Sequence, residues 1–214
     1  MRKILAAAAA ALTLALTACA SGGIYAEYSE NTLTIPAASV KLEIPEDWTV
    51  STGDKVYEWI IRDSGGVFTD SAEMKKSAEE QGISYIAYAQ SPDNSVIMTI
   101  SVHDMKAAEH TEGYTYLDGR EYAQSVHDGI IFDYQMEGCS TRGTGEFIED
   151  NFGGLDGWLS HFEVYQPTDD GDVYVLGQYE LMTQHNDFMY MIQLCYAQGF
   201  DETARQIVYS AGRS

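Results

Sequence analysis

The stretch Leu16-Thr17-Ala18-Cys19 closes an uncharged run, Ile4 to Thr17, that begins directly behind Arg2 and Lys3. Two cations, a short apolar core, a small residue and then a cysteine read as a secretory signal ending in a lipid-attachment site. A membrane-spanning anchor would need about 20 apolar residues to cross the hydrocarbon core, and Ile4 to Ala18 falls short of that. On this reading whatever folds lies after Cys19, outside the cytoplasm and close to a bilayer.

The same four residues resemble the lipobox of bacterial lipoproteins, with leucine three positions before the cysteine and a small residue next to it. The resemblance implies a diacylglyceryl group on the Cys19 thiol, cleavage after a signal peptide of residues 1–18, and Cys19 as the first mature residue. Each buried methylene contributes about 0.8 kcal/mol and a single myristoyl chain binds only marginally, so two chains hold far better than one. The expected location is the extracytoplasmic face of a bacterial membrane, with the lipid as anchor.

Removing residues 1–18 from the 214 leaves 196 residues, a length suited to one domain with a sizeable core. Residues 19–31 are small and polar around Ser21-Gly22-Gly23 and read as the lipidated cysteine and a flexible tether. Residues 32–214 are expected to form a single globular domain, with no internal repeat. The net charge is −21, and loss of Arg2 and Lys3 takes it to −23. Such a surface is repelled by nucleic acid and by anionic headgroups, and it favours solubility and cationic partners.

Two further cysteines, Cys139 and Cys195, could be oxidised to one disulfide in an exported chain. Cys195, however, lies in the apolar run Phe188 to Ala197, where a free thiol serves as a small hydrophobe. No Cys-x-x-Cys and no histidine cluster accompanies them, so no metal site and no cofactor is expected.

Along the chain, Val40-Lys41-Leu42-Glu43-Ile44 alternates as a half-buried strand ending at Pro45. Val56 to Ile61 reads as a second short strand. Asp70 opens a helix with Glu73 as its box partner and Gly82 as its stop. Ile83 to Gln90 and Ser95 to His103 flank the hairpin signal Ser91-Pro92-Asp93-Asn94. A second helix starts at Asp118 with Glu121 as box partner, and Tyr122, Val126, Ile130 and Tyr134 form its buried stripe. Four strands follow: Thr144 to Asp150, Leu155 to Gln166, Val173 to Gln184 and Asp187 to Gln198, with turns at Asp170-Gly171 and His185-Asn186. Asp201 is expected to cap a last helix carrying Ile207 and Val208. Strands and helices mix without strict alternation, which points to an α+β fold with a largely antiparallel sheet.

Val40-Lys41-Leu42-Glu43-Ile44-Pro45-Glu46-Asp47-Trp48 resembles the opening strand, proline and tryptophan of the PsbP-like proteins, relatives of the photosystem II extrinsic subunit P. The hairpin, long helix, meander and final helix follow in that family's order. The resemblance implies an α/β/α sandwich around an antiparallel sheet, and a binding or assembly role without catalytic residues.

The residues themselves contain no Gly-x-Ser-x-Gly, Ser-x-x-Lys or His-Glu-x-x-His pattern and no phosphate loop. Arg142-Gly143-Thr144-Gly145 reads as a turn or bulge, and Asp169-Asp170-Gly171-Asp172 as a hairpin turn. With Asp170-Gly171 as the turn, His161 would stand opposite Glu180 and Glu163 opposite Gln178, with Gln193 beside Gln178. That stripe is the candidate ligand-binding cleft, at the edge of a helix that partly covers it. The opposite face, with Trp158, Phe162, Val164, Tyr179, Leu181, Tyr190, Ile192 and Leu194, is the expected core. His103, His110, His127 and His185 read as surface or loop residues. The leading expectation is a membrane-anchored, non-enzymatic module binding a protein or small-ligand partner. A cation- or small-ligand-binding lipoprotein using the stripe is the alternative, and an unrecognised hydrolase comes last.

Overall fold

The computed structural model describes residues 24–63, 70–107 and 117–213, without the side chains of 63 and 144–147. The signal peptide, Cys19 and His110 lie outside the described residues. Among the described residues no helix is long and apolar enough to cross a membrane.

Strands β1 (Glu27–Ser29), β2 (Thr32–Ile35) and β3 (Val40–Glu43) form an antiparallel sheet that β11 (Gly212–Arg213) completes, in the order β1-β2-β3-β11. Val40 and Leu42 are buried while Lys41 and Glu43 are exposed, the period-two pattern legible in the sequence. The stretch expected as a tether is therefore structured from β1 onward. Glu30 and Asn31, both at positive φ (49° and 61°), make the two-residue turn that pairs β1 with β2. Ala26 is buried, and Ile24 and Tyr28 pack on the core.

The larger sheet has seven strands: β4 (Thr49–Thr52), β5 (Ile83–Gln90), β6 (Val96–Asp104), β7 (Ser140–Phe152), β8 (Leu155–Thr168), β9 (Gly171–His185) and β10 (Phe188–Tyr196). Their order is β4-β5-β6-β10-β9-β8-β7, and every neighbouring pair is antiparallel. Among the described residues four α-helices accompany them: α1 (Lys55–Asp63), α2 (Ser71–Glu80), α3 (Gly119–Met136) and α4 (Asp201–Tyr209). Helices α1 and α2 cover β5, α3 covers the β8–β9–β10 region of the same face, and α4 with the small sheet covers the other face. The result is a mixed α+β fold, a largely antiparallel sheet with helices on both faces.

Helix α1 corrects one expectation. Val56 to Ile61 forms helix, not strand, and buries Val56, Tyr57 and Ile60. The spacing i, i+1, i+4 is one helical face, and packing over β5 outweighs the local β-propensity of valine and isoleucine. Tyr57 Oη accepts the Tyr85 backbone N–H at 3.2 Å, fixing the helix to the sheet.

Helix α3 begins as the sequence implies. Asp118 accepts the Glu121 backbone N–H at 2.9 Å, and the Glu121 carboxylate accepts the Asp118 N–H at 3.4 Å, a complete capping box. Ile130 and Tyr134 are fully buried, as are Ala123 and His127, while Tyr122 and Val126 lie half-buried at the rim. In α4 the cap position falls on Phe200, and Asp201 is the first helical residue. Its carboxylate instead accepts the Tyr179 hydroxyl at 2.8 Å.

Candidate functional site

The register of β8 on β9 decides which polar residues meet. Thr168 pairs with Gly171, so the tip of the hairpin is Asp169-Asp170 and not Asp170-Gly171. That displacement shifts the pairing by two. A bulge between Val164 and Tyr165, which leaves Val175 unpaired, returns one. The net shift is one residue, and one residue exchanges the faces of a strand relative to its neighbour. His161 thus stands opposite Tyr179, Glu163 opposite Gly177, and Glu180 opposite Ser160.

The expected stripe is consequently split. His161 and Glu163 lie on the α4 face, whereas Gln178, Glu180 and Gln193 lie on the α3 face. The β9–β10 turn is also displaced, with Phe188 opposite His185, but by an even number, so Gln193 stays on the Glu180 face and sits opposite Glu180 itself. The same slip moves Trp158, Phe162 and Val164 to the α3 face, away from Tyr179, Leu181, Tyr190, Ile192 and Leu194. Both faces are core.

Beneath α3, Glu180, Gln178, His127, Ser160 and Tyr134 form a hydrogen-bonded network, while Gln193 Nε2 and Trp158 Nε1 on the same face are buried with no hydrogen-bond partner among the described residues. Glu180 is fully buried, and Oε2 accepts from His127 Nδ1 at 2.7 Å and from the Ser160 hydroxyl at 3.1 Å. Its Oε1 accepts Gln178 Nε2 at 2.6 Å. The Tyr134 hydroxyl donates to Gln178 Oε1 at 2.9 Å, and the Cys195 thiol reaches the same oxygen at 3.5 Å. His127 and Tyr134 are seven residues apart, two turns along one face of α3, which is why a single helix supplies both. Ser101 and His103 extend the buried polar strip on β6, with His103 Nε2 2.9 Å from Ser101 Oγ and Nδ1 3.3 Å from Tyr122 Oη. His103 and His127 are thus core residues, contrary to the surface placement expected of them, while His185 is exposed. His127 shares the helical face of Ala123, Ile130 and Tyr134, a spacing present in the sequence, whereas the burial of His103 depends on α3 lying over β6.

Cys139 and Cys195 are both free and buried, so the disulfide considered for them is not formed. Each thiol has its own acceptor, Gln166 Oε1 at 3.5 Å for Cys139 and Gln178 for Cys195. Burial pushes the Cys195 thiol up to about 12. Among the described residues no group of three or more His, Cys, Asp or Glu is placed to hold a metal ion.

On the α4 face His161 is half-buried. Its ring stacks on Tyr179, with centroids 4.2 Å apart, and its Nε2 lies 2.6 Å from Tyr196 Oη. Burial pulls its proton affinity down, against the pull of Asp201 and Glu163 upward. Glu163 accepts the Tyr165 hydroxyl at 2.6 Å, and the Arg142 guanidinium lies 4.3 Å above the Tyr165 ring while pairing with Asp172. His161, Glu163 and Arg142 each have a local partner, which makes this an ordered, half-wet patch.

A cleft does open elsewhere. The β1–β2 turn (Glu30, Asn31, Thr32), the end of β3 (Glu43 to Glu46) and α4 (Thr203, Gln206, Ile207, Ser210) enclose about 430 Å³. Among the described residues its apolar lining is Ile44, Pro45 and Ile207, and its charged lining is Glu30, Glu43 and Glu46, with no lysine or arginine. The Glu43 backbone N–H to Ser210 Oγ bond at 3.0 Å and the Ile44 N–H to Asn31 carbonyl bond at 2.8 Å hold the walls. The volume lies in the range of small-ligand sites, roughly 300–1,000 Å³. Three separated segments build it, so no local sequence pattern announces it.

No family model and no curated protein matches the chain. Among solved structures it is similar to cyanobacterial PsbP (CyanoP) from Synechocystis sp. PCC 6803, with a TM-score of 0.46, 11% identity, and coverage of 93% of this chain and 99% of that one. It is similar to LpqN, involved in cell envelope biogenesis of Mycobacterium tuberculosis, with a TM-score of 0.41, 11% identity, and coverage of 81% and 82%. A protein from Bacteroides thetaiotaomicron VPI-5482 gives a TM-score of 0.38 and 12% identity over 86% of this chain, which spans 48% of that one. None of the three supplies residues to carry onto this chain.

Proposed function

We propose that this chain is a lipid-anchored, non-enzymatic binding or assembly module on the outer side of a bacterial membrane, of PsbP-like design, which receives a cationic segment of a protein partner in the Glu30–Glu43–Glu46 cleft. The observation that carries this reading is the cleft itself, whose charged lining among the described residues is entirely acidic, beside apolar Ile44, Pro45 and Ile207, with walls held by the Glu43–Ser210 and Ile44–Asn31 hydrogen bonds. The lipobox-like Leu16-Thr17-Ala18-Cys19 supplies the anchor. Glu27 is eight positions on from Cys19, and at about 3.5 Å per residue that span reaches at most about 28 Å. The cleft is thereby held close to the bilayer, where a membrane-bound partner is concentrated.

A non-enzymatic role is supported by how Ser160, His127 and Glu180 meet. They are the residue types of an acyl-transfer triad, but Ser160 Oγ and Glu180 Oε2 both meet the same ring nitrogen, His127 Nδ1. A working triad places nucleophile and acid on opposite nitrogens, and all three residues here are sealed from solvent.

The test is capture from detergent-solubilised native membranes with the full chain, alongside a Glu30→Gln/Glu43→Gln/Glu46→Gln variant. The native chain should recover a partner in a salt-sensitive manner and the variant should lose it. Equal recovery by both, or turnover of a defined substrate with no partner above background, would sink the proposal. Mass spectrometry of the membrane-derived chain should find a diacylglyceryl adduct on Cys19, and an unmodified thiol there would remove the anchor.

A further inference from the structure

The sheet face under α4 is sealed at one end and open at the other. Along β8, Leu159 is 2% exposed, whereas His161, Glu163 and Tyr165 on the same face are half-buried. Phe162 and Val164, turned toward α3, are sealed. Among the described residues the cover therefore ends between Leu159 and His161, and beyond it lies a row of rings and carboxylates. Tyr174 pairs with Tyr165, and the two rings meet edge to face with centroids 5.6 Å apart. Gly177, opposite Glu163, carries no side chain, so the Tyr196 ring lies over it and brings its hydroxyl 2.6 Å from His161 Nε2. The imidazole lies nearly parallel to the buried Tyr179 ring, which covers its inner face. The 35% of the His161 side chain that stays exposed is thus its outer face and rim.

We infer that His161, Glu163, Tyr165 and Tyr174, with Arg142 and Asp201 at the rim, form a shallow binding site for a neutral oligosaccharide. A pyranose presents a flat face of C–H groups and a rim of hydroxyls, so it is recognised by aromatic surface beside fixed acceptors and donors. Tyrosine supplies both, a large apolar ring and a polar tip, at low cost in side-chain freedom. Here the tips are already placed. The Tyr165 hydroxyl donates to Glu163 at 2.6 Å and the Tyr179 hydroxyl to Asp201 at 2.8 Å. Each of these bonds uses one of the roughly four acceptor positions of a carboxylate, which leaves the others to sugar hydroxyls. Arg142, 4.3 Å above the Tyr165 ring and paired with Asp172, brings a guanidinium donor to the rim. Glu163, Asp172 and Asp201 outnumber that one cation, so an anionic ligand is repelled. His161 to Tyr165 spans four positions, about 13 Å along the strand, the reach of a short chain of sugars rather than a single one. Because these groups hold one another in place beforehand, little ordering cost falls on binding.

The experiment titrates the full chain in detergent separately with hexamers of N-acetylglucosamine, of glucose and of galacturonic acid, and with hexalysine, while the His161 imidazole resonances are followed by NMR. At least one of the neutral hexamers should bind saturably and shift those resonances, and the galacturonate hexamer and hexalysine should leave them in place. Tyr165→Ala/Tyr174→Ala should weaken the neutral hexamer by about tenfold. Tyr165→Ala alone, at the open end of the face, is the second variant should the pair unfold, and its affinity should fall by about threefold. Glu163→Gln keeps an acceptor without the charge and should retain most of the affinity, as a sugar site permits and a cation site does not. Glu30→Gln/Glu43→Gln/Glu46→Gln should bind the hexamer as the native chain does. The site is overturned if neither neutral hexamer shifts His161, if affinity is unchanged in the alanine variants, if a charged hexamer shifts His161 as strongly, if Glu163→Gln abolishes binding, or if the Glu30 triple variant loses the sugar. Partner capture at the acidic cleft is read separately, and the first four of these outcomes leave it untouched.

Discussion

His127 on α3 places Nδ1 2.7 Å from Glu180 Oε2 on β9, and neither side chain is more than 2% exposed. The pair is the polar rivet between the helix and the sheet. Removing one member of a buried pair leaves the other uncompensated, at about 3–5 kcal/mol. His127→Ala should therefore cost roughly that much in urea unfolding. Glu180→Gln keeps a hydrogen-bonding group of the same shape and should cost less. A His127→Leu/Glu180→Leu double variant should recover only part of the loss, because Gln178 and Ser160 forfeit their acceptor. A double variant that costs the sum of the two single losses would show that the pair does not act as a unit.

What was legible in the sequence is what local chemistry fixes. The Asp118–Glu121 capping box, the alternation of Val40 to Glu43 and the hairpin around Pro92 stand where their patterns put them, because a cap or a pleat is decided within a few residues. Register is not local. The bulge that leaves Val175 unpaired turns His161 away from Glu180, and no residue type marks it; valine is an ordinary strand residue. The even shift at the β9–β10 turn left Gln193 on its expected face, so an error twice as large did no harm there. Gln178, Glu180 and Gln193 do share one face, but Gln193 bonds Thr99 and not the Glu180 network. The Glu180 partners His127 and Ser160 depended on laying α3 over the sheet. Val56 to Ile61 fails for the converse reason, since strand-favouring side chains are recruited to a helix by what they pack on.

The α3 cap should be worth measuring in isolation from the core. Asp118 is a solvent-exposed acceptor for the Glu121 N–H, and losing an N-cap carboxylate costs about 1 kcal/mol, within a range of about 0.5–2. Asp118→Ala should show that loss, Asp118→Ser almost none, and hydrogen exchange should rise first at the amides of Arg120 to Tyr122. A uniform rise across α3 would indicate that the helix detaches as a whole.

Gly177 lies beneath the Tyr196 ring, and a Cβ at that position would sit within the ring itself. The ring has little room to yield, because Tyr196 is 2% exposed and its hydroxyl is 2.6 Å from His161 Nε2. Gly177→Ala should displace the ring and break that bond. His161, whose proton affinity burial now lowers, should then titrate closer to the ordinary imidazole value when followed by NMR. An unchanged His161 titration, with the stability of the native chain, would mean that the ring moves freely.

His103 sets a pH dependence whose sign follows from its burial. Its imidazole is pushed down from 6.5 to about 4, with burial as the cause, and the groups nearest its ring nitrogens, Ser101 and Tyr122, are neutral. In the unfolded chain the same imidazole takes up a proton near 6.5. Between those two values the unfolded state binds more protons, so unfolding free energy rises with pH. The contribution is present in full above pH 6.5 and is lost as pH falls toward 4, about 2 kcal/mol of it between pH 7.5 and pH 5. His161, also lowered by burial, acts with the same sign. Asp133 and Glu137, raised by burial, oppose it, but only where carboxylates titrate. His103→Gln keeps a partner for Ser101 without a titrating ring, so its stability profile from pH 7.5 to pH 5 should be flatter than that of the native chain by about that amount. Parallel profiles for the two would place the acid sensitivity elsewhere in the fold.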